Sequence, residues 1–231
     1  MPTGNLPGWN LLYTQNFSGD SLPDDWGAYT GQPGGDPHGY WEPGNVSVND
    51  GELHLSTTPD SDPDKSGAAT SGGVAFYGEP QTYGMYLVRM KADYEPSLEM
   101  SDILLLWPSD NDWPPEVDFF EDSGAGRQRY ATFLHMGPDG DDCCTIENSV
   151  ANDATQWHTY GVAWTASSLT YTVDGKVFAV VYKSNLTGEG QYWPNTSMNL
   201  DIQSENLGSA QPQGSVETMT VDWVAEFSQR S

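Results

Sequence analysis

Basic residues are scarce in this chain. Lys and Arg together number 8 among 231 residues, against 33 Asp and Glu, so the formal net charge at pH 7 is −25. Nucleic acids and anionic membranes attract cationic surfaces, so this charge balance excludes both as expected partners. The same charge disfavours, less strongly, polyanionic substrates such as sulfated glycans.

Cysteine is nearly absent too. The only two cysteines, Cys143 and Cys144, are adjacent in the sequence. Neighbouring cysteines close only a small, strained ring, and strain makes a disulfide easier to reduce. The sequence therefore leaves open whether they form a disulfide or remain two free thiols. It excludes a zinc site, because no second pair of Cys or His stands at ligand spacing.

The chain also lacks a long apolar run. No stretch approaches the ~18 consecutive apolar residues expected of a membrane-spanning helix. Residues 1–10 do not combine a charged start with an apolar core, which is the pattern of a secretion signal. We expect an extracellular protein whose signal is absent from this sequence.

Helical periodicity is absent as well, and the composition favours strands and turns. The chain contains 9 Trp, 12 Tyr, 25 Gly and 16 Pro, with short apolar runs separated by turn residues. We expect an all-β sandwich of two sheets forming one domain over residues 1–231. Residues 60–67 are interpreted as a surface loop, and Asp174-Gly175 predicts a type I′ hairpin turn. Strands are predicted over residues 45–49, 52–56, 73–77, 85–92, 103–107, 116–121, 131–135, 157–164, 169–173, 176–181, 198–203 and 216–227.

The most informative stretch is residues 116–121, which read Glu-Val-Asp-Phe-Phe-Glu. Val and Phe favour a strand, and in a regular strand Glu116 and Asp118 share one face while Glu121 points away. One extra residue at Phe119-Phe120, a β-bulge, returns Glu121 to the face of the other two. Two carboxyls on one face, with a third between them, suit the retaining hydrolysis of a glycosidic bond. A solvated acidic strand is the alternative, which the Phe pair and the nearby Trp residues disfavour.

This motif and other segments resemble glycoside hydrolase family 16, the β-jelly-roll endoglycosidases. The resemblance covers nearly the whole chain and is highly specific when all segments are taken together. It implies a sandwich of two curved antiparallel sheets with a concave substrate cleft. The other segments that carry it are residues 41–48, 50–53, 83–91, 157–164, 171–176 and 221–224.

The resemblance implies roles for the three acids: Glu116 as nucleophile, Glu121 as general acid/base and Asp118 as the helper between them. In a retaining enzyme one carboxylate forms a covalent glycosyl-enzyme intermediate, while the other protonates the leaving oxygen and later deprotonates water. Their carboxyls are expected ~5–5.5 Å apart. Close negative charges should raise the carboxyl pKa values as a coupled set, that of Glu121 most. No catalytic cofactor is implied.

Five further residues are candidates for substrate binding. The resemblance places Trp107 in the cleft, and Trp113 is a second candidate for stacking on a sugar ring, with core packing as the alternative for both. His135 resembles a family histidine near the acid/base, with a purely structural histidine as the alternative. Gln203 and Asn45 are candidate hydrogen-bond partners of sugar hydroxyls. Asn45 also begins the sequon Asn-Val-Ser, which matters only in a glycosylating host.

Many members of the family carry a structural calcium ion on the convex face. The matching positions are Asn16, Gly51 and Asp222, and Asn16 stands where the family often has an acid. Calcium requires six to eight oxygen ligands, so backbone carbonyls would supply most of them. An ordinary exposed acid is the alternative interpretation of Asp222.

The predicted function is hydrolysis of a neutral β-linked polysaccharide by a monomeric enzyme. The bulged motif resembles the β-1,3-glucanases (laminarinase type), agarases, carrageenases and galactanases, whereas lichenases usually have one residue fewer. Because the acidic surface disfavours carrageenan, we expect endo-cleavage of β-1,3-glucan or mixed β-1,3-1,4-glucan. A specificity for agarose or β-1,3-galactan is one alternative. A noncatalytic glycan-binding module is another, although it would not need all three acids.

Overall fold

Short runs with alternating burial build the strands of this protein. The structure is a computed structural model that describes residues 1–34, 38–59, 69–96, 99–122, 126–138, 140, 143–208 and 216–230. The predicted loop at residues 60–67 lies outside the described residues. The strands within the described residues are β1 (Trp9–Gln15), β2 (Trp26–Ala28), β3 (Val46–Asn49), β4 (Glu52–Pro59), β5 (Ala69–Thr70), β6 (Gly73–Gln81), β7 (Gly84–Ala92), β8 (Met100–Pro108), β9 (Glu116–Asp122), β10 (Arg129–His135), β11 (Ile146–Ala151), β12 (His158–Trp164), β13 (Ser168–Val173), β14 (Lys176–Tyr182), β15 (Met198–Asn206) and β16 (Glu217–Gln229).

The strands form two antiparallel sheets, which confirms the predicted all-β sandwich. One sheet, here called the outer sheet, has the order β14-β13-β12-β7-β16-β4-β3, with β1 also paired to β16 and β5 to β4. The other, called the cleft sheet, has the order β11-β10-β9-β8-β15-β6-β2. The strand that carries the acidic motif, β9, therefore lies inside the cleft sheet between β8 and β10.

The core lies between the two sheets and follows the two-residue period of the strands. Tyr86, Val88 and Met90 of β7 point inward from the outer sheet, and Leu104 and Leu106 of β8 point inward from the cleft sheet. All five side chains are fully buried. The residues between them in sequence point to the opposite face of their sheet, so the odd-numbered residues of β8 face the cleft.

The hairpin between β13 and β14 has the predicted turn. Asp174 has φ 49° and Gly175 has φ 71°, and positive φ at both central residues defines the type I′ turn. Four strands were not predicted, namely β1, β2, β5 and β11. Two of them have only two or three residues, and β11 lies at an edge of its sheet, so long-range pairing rather than a local pattern creates them.

Candidate active site

A β-bulge in β9 brings the three acids of the motif to one face, as the sequence predicts. Opposite β8, Leu104 pairs with Phe120 and Leu105 pairs with Asp118, so Phe119 is the extra residue. The pairing with β10 shifts at the same place. Glu116 and Glu121 consequently both line the cleft, although they are five positions apart and regular alternation would place them on opposite faces.

The cleft has a volume of about 780 Å³ and runs across several strands of the cleft sheet. No Lys or Arg is found among the described residues that line it, whereas four carboxyl side chains are. It is therefore a mixed aromatic and acidic surface with no described cationic side chain. Its lining residues are Tyr29, Thr30, Gly34, Trp41, Ala75, Tyr77, Ile103, Leu105, Trp107, Asn111, Trp113, Glu116, Glu121, Asn199, Asp201, Gln203 and Glu205.

Two neighbouring side chains hold the acids at the start of β9. The indole Nε1 of Trp113 donates to Oε2 of Glu116 at 2.7 Å. Nε2 of His135 lies 3.1 Å from Oδ2 of Asp118, which is almost completely buried. His135 pairs with Glu116 across β10 and β9, and its Nδ1 lies 3.4 Å from Oγ1 of Thr145. Trp113 and His135 thus contact the acids directly.

Burial and mutual repulsion shift the pKa values of the acids upward. Burial raises the pKa of Glu116 well above its ordinary value, Asp118 raises it further, and His135 and Trp113 oppose the shift. Burial also raises the pKa of Asp118, against the opposing effect of His135. For Glu121, burial and then Asp118 raise the pKa to about 7. A carboxyl with that pKa keeps its proton in mildly acidic solution and in about half of the molecules at neutral pH, which suits a proton donor.

The other predicted binding residues are placed differently. Trp107 lines the cleft, and its Nε1 donates to Oδ1 of Asn111 at 3.0 Å. Gln203 lines the cleft and donates to Oε1 of Glu205 at 2.8 Å. Asn45 is not among the described lining residues. Its side chain instead donates a hydrogen bond to Thr70 and accepts one from Thr58. The structure thus brings Trp107 and Gln203 to the cleft and places Asn45 outside its described lining.

Sequence reasoning missed an aromatic and acidic group on the far side of the cleft. Tyr29 donates a short hydrogen bond to Oδ2 of Asp201, on β15, and its ring lies 4.8 Å from that of Trp41. A Cβ on Gly73 would collide with the Tyr29 ring, so glycine is required beneath it. Burial raises the pKa of Asp201 to about 7. Gly73 is the local sequence signal of this arrangement, because Tyr29 and Asp201 themselves are far apart in the sequence.

Two of the three positions expected to bind calcium make other side-chain contacts in this structure. Asp222 accepts a hydrogen bond from Nε of Arg89 at 2.8 Å, so its carboxylate already pairs with a cation. Oδ1 of Asn16 accepts from the backbone N–H of Ser18 at 3.3 Å. Within the described ranges, no group of three or more His, Cys, Asp or Glu is placed to hold a metal ion. A site made mainly of backbone carbonyls is not such a group, so the structural calcium ion stays a prediction.

The two cysteines form a disulfide beside the cleft strands. Cys143 and Cys144 are bonded to each other, which resolves the alternatives that the sequence left open. A Cβ added at Gly190 would collide with Sγ of Cys143 and lie tightly against Sγ of Cys144, so the disulfide packs against this glycine. Sγ of Cys144 lies 3.3 Å from the carbonyl oxygen of Glu189.

The part of the chain that the structure describes contains no helix long and apolar enough to cross a membrane.

Comparisons with known proteins agree with this geometry. The profile of glycosyl hydrolases family 16 matches residues 36–225. Over 139 residues the chain is 33% identical to the endo-1,3-1,4-beta-glycanase ExsH of Rhizobium meliloti (strain 1021). That match covers 58% of this chain and 29% of ExsH, so the chain spans less than a third of this relative.

Solved structures share the fold. The catalytic domain of an endo-1,3-beta-glucanase (laminarinase) from Thermotoga petrophila RKU-1 has a TM-score of 0.82 at 20% identity, over 96% of this chain and 99% of that one. A prokaryotic beta-1,3-1,4-glucanase (lichenase) from a mouse hindgut metagenome has a TM-score of 0.75 at 20% identity, over 94% and 99%. At these identities the structural similarity is evidence for the fold alone.

Proposed function

The chain belongs to glycosyl hydrolases family 16, and from this premise we propose that it is a retaining endo-β-glucanase. We propose β-1,3-glucan or mixed β-1,3-1,4-glucan as its substrate. The observation that carries the proposal is the bulge in β9, which turns Glu121 to the same cleft as Glu116. A glycan-binding module has no need for two carboxyls on one face of a strand, with a third buried between them.

In the proposed first step, Glu116 attacks the anomeric carbon while Glu121 donates its proton to the leaving glycosidic oxygen. The bond from the sugar to the leaving group breaks as the covalent bond to Glu116 forms. In the second step, the ionised Glu121 takes a proton from water, which displaces Glu116. Asp118 raises the pKa of Glu116 and His135 lowers it, and Trp113 donates a hydrogen bond to the Glu116 carboxylate.

The proposed substrate is an uncharged polymer. The described cleft lining has several carboxyls and no cationic side chain, and the chain carries a net charge of −25, so sulfated or uronate sugars are repelled. Trp107 and Trp113 supply apolar faces for glucose rings at the scissile end of the cleft. ExsH is named an endo-1,3-1,4-beta-glycanase, and the similar structures are named a laminarinase and a lichenase. These names support a β-1,3-linkage in the substrate.

We further propose that residues 1–231 act as one extracellular catalytic domain, which is monomeric and needs no catalytic cofactor. A structural calcium ion at Asn16, Gly51 and Asp222 belongs to this proposal and takes no part in the chemistry, and the ion pair of Asp222 with Arg89 competes with it. A bound calcium ion should make the melting temperature higher in calcium chloride than in EDTA, since ligands that bind the folded state raise it, and equal melting temperatures would contradict the ion.

The test of the proposed function is a panel of soluble polysaccharides assayed for new reducing ends. Laminarin is the expected substrate, and barley mixed-linkage glucan an expected second one, while carboxymethylcellulose and carrageenan should stay intact. Cleavage of agarose or β-1,3-galactan with laminarin untouched would keep the mechanism and overturn the substrate. Binding of laminarin without any cleavage would overturn the enzymatic assignment itself.

A further inference from the structure

A buried guanidinium joins the two sheets at the end of β9, next to Glu121. Arg127 is 1% exposed. Its Nη1 lies 3.3 Å from Oδ2 of Asp122, and its Nη2 lies 3.0 Å from Oδ2 of Asp102. Nη2 also pairs with Oε1 of Glu217, the first residue of β16. One side chain thus ties two strands of the cleft sheet to the outer sheet.

Three further polar atoms of this cluster accept or donate hydrogen bonds. Nε of Arg127 donates to the backbone carbonyl of Asp93 at 3.1 Å. Ser204 on β15 donates to Oδ1 of Asp102, and the backbone N–H of Glu95 donates to Oε2 of Glu217 at 3.3 Å. Burial opposes the charge on Arg127, but Asp102 and Asp122 outweigh it and raise the pKa of the guanidinium. Arg127 is therefore a permanent cation.

Stability alone is a weak reason for such a cluster. Removing several charges from water costs free energy that their mutual attraction often only just recovers. Here three carboxyls share one guanidinium, so the cluster does not balance its own charge. A buried ion cluster is better explained by the geometry that it enforces.

The geometry that this cluster controls is the position of Glu121. Asp122 directly follows Glu121 in β9. Asp102 directly precedes Ile103 in β8, and Ile103 is the residue that pairs with Glu121. On its other side only Phe120 separates Glu121 from Phe119, the bulge residue at which the ladder of pairs is interrupted. Since β9 ends at Asp122, Glu121 is the middle residue of a three-residue segment, Phe120 to Asp122, between the bulge and the strand end. Arg127 holds Asp122, the last residue of that segment.

We propose that Arg127 is a positioning residue which, through its ion pairs with Asp122 and Asp102, holds Glu121 at the distance from Glu116 that protonation of the leaving oxygen requires. The proposal rests on the proposed function of this site. A displacement of about 1 Å in a reacting group can cost on the order of 100-fold in rate. Glu121 is particularly sensitive, because the register of β9 against both neighbouring strands shifts just before it.

The test compares two substrates of the purified protein that differ only in the leaving group. One is an aryl β-laminaribioside with an acidic phenol, which leaves with little help from a proton, and the other carries unsubstituted phenol. Asp122→Asn removes the charge that Arg127 holds and leaves the shape unchanged. We expect kcat/KM for the phenyl substrate to fall about 10- to 100-fold, and that for the activated substrate to fall less than about threefold.

Glu217→Gln is the matched control. It removes one carboxylate from the same guanidinium, but on the outer sheet and away from β9. It should lower the melting temperature while the ratio of the two kcat/KM values stays that of the unmodified protein. Arg127→Lys is the second test variant, and it should change the ratio in the same direction as Asp122→Asn, since lysine cannot hold both carboxylates in a planar fork.

Equal losses on both substrates in the folded Asp122→Asn and Arg127→Lys variants would overturn the proposal, as would no loss on either. A changed ratio in Glu217→Gln alone would overturn it too. Failure of the proposed function is a different result, because the unmodified protein would then cleave neither aryl glycoside nor laminarin.

Discussion

Trp113 donates its indole N–H to Oε2 of Glu116 at 2.7 Å, which links the segment before β9 to the proposed nucleophile. The sequence suggested only that Trp113 stacks on a sugar. The hydrogen bond gives it a second role, because it lowers the pKa of Glu116 against the larger upward effects of burial and Asp118. A nucleophile must be ionised, so this bond supports the form of Glu116 that reacts.

Trp113→Phe should therefore weaken the enzyme most at acidic pH. The variant keeps an aromatic ring and loses the donor, so the pKa of Glu116 rises and the acidic limb of kcat/KM moves to higher pH. Loss of a hydrogen bond to a charged group should lower kcat/KM about tenfold or more at acidic pH. Trp107→Phe is the control, because the Trp107 indole donates to Asn111 rather than to an acid. An unchanged acidic limb in Trp113→Phe would contradict this role.

Glu116→Ala should abolish hydrolysis without unfolding the protein, because it removes the nucleophile from a cleft that is already formed. Added azide should partly restore cleavage of an activated aryl glycoside and give a product of inverted anomeric configuration, which NMR detects directly. Near-normal turnover by the folded variant would rule out Glu116 as nucleophile.

Glu121 should act as the proton donor. Its pKa is raised to about 7, so kcat/KM should fall as pH rises through 7, when the proton is lost. Glu121→Gln should remove this basic limb, and it should harm substrates with poor leaving groups far more than activated ones. Equal losses on both kinds of substrate would assign Glu121 another function.

Glu226 on β16 should make the protein less stable as pH rises. It is fully buried, and burial raises its pKa to about 8, from an ordinary value of 4.5. The folded state therefore binds more protons than the unfolded state between these two values, so the free energy of unfolding falls with rising pH. This one group contributes up to about 1.4 kcal/mol per pH unit.

Glu226→Gln should accordingly flatten the pH dependence of urea unfolding between pH 5 and 8. The exposed residue Glu99 provides the control, and Glu99→Gln should leave the slope unchanged. The same steep slope in Glu226→Gln and the unmodified protein would mean that another group is responsible.

Cys143 and Cys144 should be dispensable for the chemistry, because a mechanism with two carboxyls needs no thiolate. Replacing both with Ser should leave kcat on an activated aryl glycoside within a few-fold of the original. A collapse of activity at unchanged melting temperature would show that the disulfide and its loop take part in the cleft.

Local patterns of the sequence predicted part of this site correctly. The alternation of residues 116–121 and the need for one extra residue predicted the bulge, which the register of β9 against β8 confirms. Asp174-Gly175 predicted the hairpin turn in the same way, because only φ > 0 at both positions gives that turn. These features depend on neighbouring residues, so the sequence alone contains them.

The partners of the acids could not be predicted, because the chain brings them together from distant segments. Tyr29 and Asp201 are 172 residues apart. Glu217 reaches Arg127 from the opposite sheet, and the bonds of Asn45 to Thr58 and Thr70 keep it out of the described lining of the cleft. The sequence by itself determined most of the strands, the bulge and the three acids, through steric preference and a two-residue period. Only the tertiary structure decided what surrounds each acid, because burial and charge depend on how the two sheets pack.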